Sequence, residues 1–418
     1  MTDQDNKKWQ FSTRLVHGGT EDDPTTGATV TPIYQTASFA HETAEEISDI
    51  FNNRQFGYTY SRIANPTVDS FEHQITAIEE GRGSIAVASG MAANAIVIQS
   101  LVETGDEILV AKSLFGGTYY LVNELRDHHG ITVKFVDTTD IAAYKAAITD
   151  QTKLIFCETI GNPKIDVPDI KALATVANNA NIPLIVDSTT TTAHLIDLKA
   201  LGVSICIQAA TKWLSGNGST IGGVITDLGN YKWKDSKSRT LTSFVKKVGE
   251  LGFIARCKKL RSNLGASLSP FNAYLLSLGL PTLSLRLTAQ CENALKVATF
   301  LNEHPRVKAV QYPGLKNHPD HDVCTRQFNG KYGGLLAFQL ESKEHCFKMI
   351  NNLNMIKNLA NLGDVKTLII HPESTIYRDM STELKEEAGA YTNLIRLSLG
   401  IESSEDIIQD LNQALENI

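Results

Sequence analysis

Pro183-Leu184-Ile185-Val186-Asp187 is a short apolar run that stops at an acid. With no polar residue alternating along it, the run predicts a strand covered on both faces, as in a parallel α/β layer. Outward from it, residues 85–88, 107–111, 132–136, 153–157, 204–207 and 222–226 read the same way. Segments long enough for helices separate these runs, residues 92–101 and 169–179 among them. In such a sheet the ligand sits beyond the carboxyl ends of the strands, so the residues just after each run are where chemistry is sought.

The chain has 418 residues, enough for two or three domains with cores of their own. Hydrophobic residues make up 42% and charged residues 20%, as in an ordinary globular chain, which excludes disorder, collagen and coiled coil as the main theme. Lys and Arg number 39 against 46 Asp and Glu, a net charge of −7, so there is no overall positive field to hold nucleic acid. The six cysteines are scattered without a C-x-x-C pair, which speaks for reduced thiols and against a zinc ribbon or a disulfide framework. Residues 1–10 are polar and lack the apolar core of a signal peptide, and the mildly apolar stretch 84–102 carries Ser89, Asn94, Gln99 and Ser100. A cytoplasmic protein without a membrane span or a bound metal is expected.

Residues 1–62 read as an irregular, aromatic-containing arm (Phe51, Phe56, Tyr58 and Tyr60) of the kind that grips a partner subunit. Residues 63–262 hold the strand rhythm. From 263 to 418 longer helical stretches such as 282–303 and isolated strands at 334–339 and 394–399 suggest a smaller α+β C-terminal domain. Residues 231–261 contain ten Lys or Arg with only Asp235 and Glu250 as acids; a solvated face is the expectation, a local anion site the alternative. Gly81-Arg82-Gly83-Ser84-Ile85-Ala86 matches the dinucleotide fingerprint G-x-G-x-x-A, but a helix-like segment precedes it and a strand follows, the reverse of what that motif needs. His318-Pro319-Asp320-His321-Asp322 reads as a solvated turn, and His128-His129 as a helix end.

Three strand ends carry the chemistry. After 85–88 comes Ser89-Gly90-Met91, a small turn opening an Ala-rich helix whose first N–H groups suit a phosphate. After 183–186 comes Asp187, costly to bury unless paired. After 204–207 comes Thr211-Lys212. A phosphate-accepting helix end, a buried acid and an amine are what pyridoxal phosphate requires: the acid keeps the ring nitrogen protonated and the amine condenses with the aldehyde. Spacing alone also admits Asp187 as a helix cap and Lys212 as a surface residue.

Five stretches carry a family resemblance: Tyr58-Thr59-Tyr60-Ser61-Arg62-Ile63-Ala64-Asn65-Pro66-Thr67, Ala88-Ser89-Gly90-Met91-Ala92-Ala93, Glu158-Thr159-Ile160-Gly161-Asn162-Pro163, Ala210-Thr211-Lys212-Trp213-Leu214-Ser215-Gly216 and Leu394-Ile395-Arg396-Leu397-Ser398-Leu399-Gly400. Together they resemble the Cys/Met-metabolism family of pyridoxal-phosphate enzymes over almost the whole chain. The resemblance implies the aspartate-aminotransferase-like fold type I, α/β with a mainly parallel sheet, and a homotetramer built as a dimer of dimers. It implies that Lys212 carries the cofactor and shuttles protons, and that Asp187 partners the pyridine nitrogen. Gly90, Met91 and Thr211 would hold the phosphate, joined by Tyr60 and Arg62 of a neighbouring subunit. Asn162 would meet the ring hydroxyl, Arg396 would clamp the substrate carboxylate with Asn361 nearby, and Phe115 would stack on the ring.

The chain departs from the family pattern in several places. Phe115 stands for a tyrosine, Ala209 for a phosphate-binding serine, Asn361 for a serine, and Ile376-Tyr377 for Thr-His. Leaving-group chemistry makes the first departure informative: a thiolate has a conjugate acid near about 8.5 and a carboxylate near about 4.3, so only the thiolate depends strongly on a proton donor. Losing the tyrosine hydroxyl favours an O-acylhomoserine substrate, and the motifs around 158–163 and 264–273 most resemble O-acetylhomoserine sulfhydrylases. Gly117 also stands where methionine-lyase relatives often carry a cysteine. The expected reaction is γ-replacement by sulfide or a small thiol. A methionine or cystathionine γ-lyase, a cystathionine γ-synthase, and more remotely a non-catalytic relative, are the alternatives.

Overall fold

The computed structural model describes residues 9–418, so positions 1–8 of the expected arm and of the polar N-terminal stretch lie outside it. Seven strands form the larger sheet: β1 (Gly83–Val87), β2 (Glu107–Ala111), β3 (Thr132–Val136), β4 (Thr152–Glu158), β5 (Leu184–Asp187), β6 (Ile205–Gln208) and β7 (Gly223–Asp227), in the order β1-β7-β6-β5-β4-β2-β3. The pairs β2/β3, β2/β4, β4/β5 and β5/β6 are parallel. Every residue of β2 is buried and Leu184, Ile185 and Val186 of β5 are buried too, which is why these runs are continuously apolar.

One strand breaks the parallel expectation. β7 runs antiparallel to both β1 and β6. The connection between β6 and β7, residues 209–222, contains no helix, and without such a crossover the chain re-enters the sheet in the opposite direction.

Helix starts follow local chemistry. Asn65 accepts from the Thr67 N–H ahead of the helix Pro66–Ile78, with proline in its first turn. Ser89 accepts from the Ala92 N–H at the start of Gly90–Leu101, and Asp169 from the Ala172 N–H at the start of Ile170–Asn179. The helix Gly116–His129 ends at Gly130, whose φ of 66° is the left-handed cap.

A second sheet of five strands, β8 (Ala309–Gln311), β9 (Leu335–Gln339), β10 (Lys357–Asn358), β11 (Leu368–Ile370) and β12 (Leu394–Ser398), has the order β10-β11-β12-β9-β8. Two apolar clusters divide within the helix Leu283–Glu303. Leu283, Leu287 and Cys291 belong to the first cluster and Ala294, Val297 and Leu301 to the second. Ala273, Leu276 and Leu280, in the stretch expected with the C-terminal unit, belong to the first cluster, which also takes in Leu335 and Ala337 of β9 and Leu394 of β12.

Burial qualifies one surface expectation, met by eight of the ten cations of 231–261, and corrects another. Among the ten cations of 231–261, Arg261 is buried, and its guanidinium donates to Glu72 Oε1 at 2.6 Å and to the carbonyls of Ala86 and Ile63. The 318–322 segment is not a solvated turn either. His318 and Asp320 are buried, and Asp320 accepts from the Val167 N–H at 2.9 Å, satisfying a backbone donor of the loop it covers.

Candidate active site

Beyond the carboxyl ends of β1, β4, β5 and β6, four loops converge with a fifth from the C-terminal unit. The last residue of β5 is Asp187, whose Oδ1 accepts the Thr189 N–H at 2.9 Å. It is the end of a strand and not a helix cap, and burial raises its carboxyl above the usual range. Thr189 is anchored in turn, because its hydroxyl accepts the Ala209 N–H at 2.8 Å. That bond joins the Asp187 loop to the segment that carries Lys212.

Lys212 lies in the turn after β6, its N–H on the Ala209 carbonyl and its own carbonyl taken by Gly216. It is not a surface residue. Its Nζ donates to Asn361 Oδ1 at 2.5 Å, and burial together with the positive Arg396 lowers the amine to about 8. Gly363, with φ of 74°, lets the Asn361 loop lie this close: a Cβ there would stand 2.7 Å from the Trp213 ring and 2.8 Å from the Trp213 nitrogen.

Arg396 comes from the middle of β12 and is buried. Its Nη1 donates to Asn162 Oδ1 at 3.1 Å and its Nη2 to the Asn361 carbonyl at 3.0 Å. Burial lowers the guanidinium to about 10, so it stays cationic at neutral pH. Arg396, Asn162, Asn361 and Lys212 thus form one hydrogen-bonded chain, and two of its members are the expected substrate contacts.

At the helix Gly90–Leu101 the N–H groups of Gly90 and Met91 have no intrahelical acceptor. A Cβ at Gly90 would lie 2.6 Å from the Ala209 Cβ, so the absent side chain keeps this helix end open against the Lys212 loop. Thr211 closes the same cradle, its hydroxyl donating to the Gly222 carbonyl and accepting the Gly222 N–H. Phe115 is 38% exposed, an aromatic face left uncovered at the mouth. Its N–H donates to Glu158 Oε1 at 2.6 Å, and a Cβ at Gly117 would be 2.7 Å from its Cε1.

Tyr60 and Arg62 sit apart. The Arg62 guanidinium stacks over the Tyr60 ring at 5.4 Å and donates to the Ser262 carbonyl and hydroxyl, and neither residue bonds to Asp187, Lys212 or Arg396.

Glu158 is a site residue that the sequence reading passed over. It ends β4 opposite Asp187 of β5, so a buried and a part-buried carboxyl stand side by side, and burial and Asp187 together push Glu158 well up. The signal was available: Glu158 follows its apolar run as Asp187 follows its own. Tyr377, noted only as a departure, is buried and reaches the carbonyls of Leu114 and Asn162.

The donor set fits pyridoxal phosphate. Free helix N–H groups and a Cβ-free cradle suit its phosphate, a part-buried acid its ring nitrogen, and an amine lowered to about 8 its aldehyde. Among relatives, the chain is 36% identical to the O-acetyl-L-homoserine sulfhydrylase of Leptospira meyeri, over 99% of this chain and 98% of that one. It is 35% identical to the L-methionine gamma-lyase of Fusobacterium nucleatum, over 99% of both. A Campylobacter jejuni protein assigned as an O-acetylhomoserine (thiol)-lyase, solved with N'-pyridoxyl-lysine-5'-monophosphate, superposes with a TM-score of 0.92 at 33% identity, covering 98% of this chain and 100% of that one. Residues 12–416 match the sequence profile of the Cys/Met metabolism PLP-dependent enzymes, and the chain belongs to that family.

Proposed function

We propose that the enzyme replaces the acetate of O-acetyl-L-homoserine with sulfide or a small thiol, giving homocysteine or methionine. The observation that carries this reading is the absence of a phenol at position 115. The Tyr377 hydroxyl does not substitute for it, since its proton is given to the Asn162 carbonyl with the Leu114 carbonyl 3.2 Å away, and burial and Glu158 hold it far above the usual phenol range. Acetate leaves as a stable anion without a donor; a thiolate does not. The O-acetyl-L-homoserine sulfhydrylase of Leptospira meyeri, similar over the full chain, supports the same choice.

Pyridoxal phosphate, when bound, supplies an electron sink that acidifies the C–H bonds of the substrate. Gly90, Met91 and Thr211 would hold its phosphate, with Tyr60 and Arg62 from a second copy of the chain. Asp187 would hold its ring nitrogen, Asn162 its hydroxyl, Phe115 its face and Lys212 its aldehyde. Arg396 binds the substrate carboxylate with its bidentate fork and is aimed by Asn162. Lys212 Nζ takes the α-proton and returns it; an amine near 8 is partly neutral at physiological pH and so can act as the base. In the net reaction the Cγ–O bond breaks with its electrons leaving on acetate, and the Cγ–S bond forms from hydrosulfide. Asn361 holds Nζ between these tasks.

The stacked Tyr60–Arg62 pair and the exposed Phe51 and Phe56 of the arm support a dimer that completes each site, assembled into a tetramer. The six free, buried cysteines support a reducing, cytoplasmic setting. The second reading is a γ-lyase, favoured by similarity to the Fusobacterium nucleatum enzyme. Purified enzyme given O-acetylhomoserine and sulfide is expected to release homocysteine and acetate. Production only of α-ketobutyrate from methionine or cystathionine would replace this reading with the lyase.

A further inference from the structure

Phe115 and Tyr377, two departures from the family pattern 262 positions apart in sequence, meet at the active site. The Tyr377 ring packs on the turn that follows Phe115: a Cβ at Gly116 would lie 2.8 Å from the Ile376 carbonyl oxygen and 3.6 Å from the Tyr377 ring. The Tyr377 hydroxyl donates to the Asn162 carbonyl and stands 3.2 Å from the Leu114 carbonyl. Neither carbonyl takes another hydrogen bond from the described residues. Each carbonyl belongs to a loop that carries a working side chain. Leu114 precedes Phe115, whose own N–H is fixed on Glu158, and Asn162 presents its amide oxygen to Arg396.

We propose that Tyr377 is a positioning residue whose hydroxyl, bridged between the Leu114 and Asn162 carbonyls, fixes the Phe115 ring and the Asn162–Arg396 pair in one register. With Glu158 on its N–H and the Tyr377 hydroxyl beside the preceding carbonyl, the Phe115 backbone is held from both sides, and its ring lies over Gly117, where a Cβ would be 2.7 Å from its Cε1. The same hydroxyl keeps Asn162 where its amide can aim Arg396 at a substrate carboxylate. Removing it leaves the buried Asn162 carbonyl without its donor and the Leu114 carbonyl without its polar neighbour, which the loops can satisfy only by moving. A phenol held protonated by its surroundings donates throughout the working pH range.

The test is Tyr377→Phe in the holoenzyme, read by visible circular dichroism of the bound cofactor and by steady-state kinetics with O-acetylhomoserine. The induced band is expected to lose at least half its intensity. KM is expected to rise about tenfold, roughly 1.4 kcal/mol, with kcat within about threefold. An unchanged band with KM within twofold would overturn the proposal, even if thermal stability fell. Should Tyr377→Phe not fold, Gly116→Ala decides, because its Cβ displaces the Ile376–Tyr377 segment while keeping the hydroxyl. It is expected to weaken the same band, and a full band there counts against the proposal. The kinetic readout rests on the γ-replacement reading; the spectral one needs no substrate. A parent enzyme inert toward the ester would sink the former reading and leave the spectrum to decide for Tyr377.

Discussion

Lys212 Nζ and Asn361 Oδ1 are 2.5 Å apart, and the Asn361 carbonyl at the same time accepts from Arg396 Nη2. One residue therefore holds the proposed base with its side chain and the proposed carboxylate clamp with its backbone. Only the side-chain half can be removed by substitution. Asn361→Ala is expected to lower kcat/KM by about tenfold to a hundredfold, the cost of a hydrogen bond to a charged amine. It should leave the binding of substrate analogues that lack a reactive Cγ nearly unchanged, as measured by spectral titration.

The Lys212 amine sits near 8 because it is buried beside Arg396, below the value of an exposed lysine. A depressed lysine means the unfolded chain binds more protons than the folded one between about 8 and about 10.4, so the stability of the cofactor-free enzyme should rise with pH across that window. Below about 8 both forms carry the proton and the contribution is flat. Arg396→Gln removes the neighbouring cation and should move the amine's titration upward, followed by the pH dependence of its acylation rate.

Phe115→Tyr restores a donor at the mouth of the site. Turnover of methionine or cystathionine to α-ketobutyrate should rise at least tenfold, since a placed general acid contributes about 10² to 10⁴. Turnover of O-acetylhomoserine should change by no more than a few-fold. Equal gains on thioether and ester would contradict the leaving-group argument.

The buried pair Arg261–Glu72, 2.6 Å apart, predicts a stability effect away from the chemistry. Glu72 also accepts the Ala86 N–H, one residue before the end of β1, so the pair braces the strand that leads to the Gly90 cradle. Arg261→Leu should cost about 3–5 kcal/mol by denaturant unfolding, because it leaves a buried carboxylate with only the half-exposed Lys258, 3.6 Å away, as its cation. Glu72→Leu combined with Arg261→Leu should recover much of that loss.

The strands, and the places of Asp187 and Lys212 just beyond two of them, were legible because each is local: an apolar run followed closely by a polar residue. What the sequence hid is long-range. β7 reverses because residues 209–222 are spent on the Lys212 turn and hold no helix, a fact about geometry that no run of residues announces. Arg261 belongs to a basic run in which eight neighbours are exposed, and only its position opposite Glu72 makes it buried. The Asn361 and Tyr377 contacts join segments about 150 and more than 200 residues apart, where side chain meets site only after both domains fold.

The account stands on Lys212 as the residue that carries the cofactor. Borohydride reduction of the pyridoxal-phosphate-loaded enzyme, followed by peptide mapping, should place the pyridoxyl group on Lys212 alone, and Lys212→Ala should abolish both the adduct and the visible absorption band. An adduct on another lysine, or a band that survives in Lys212→Ala, would contradict it.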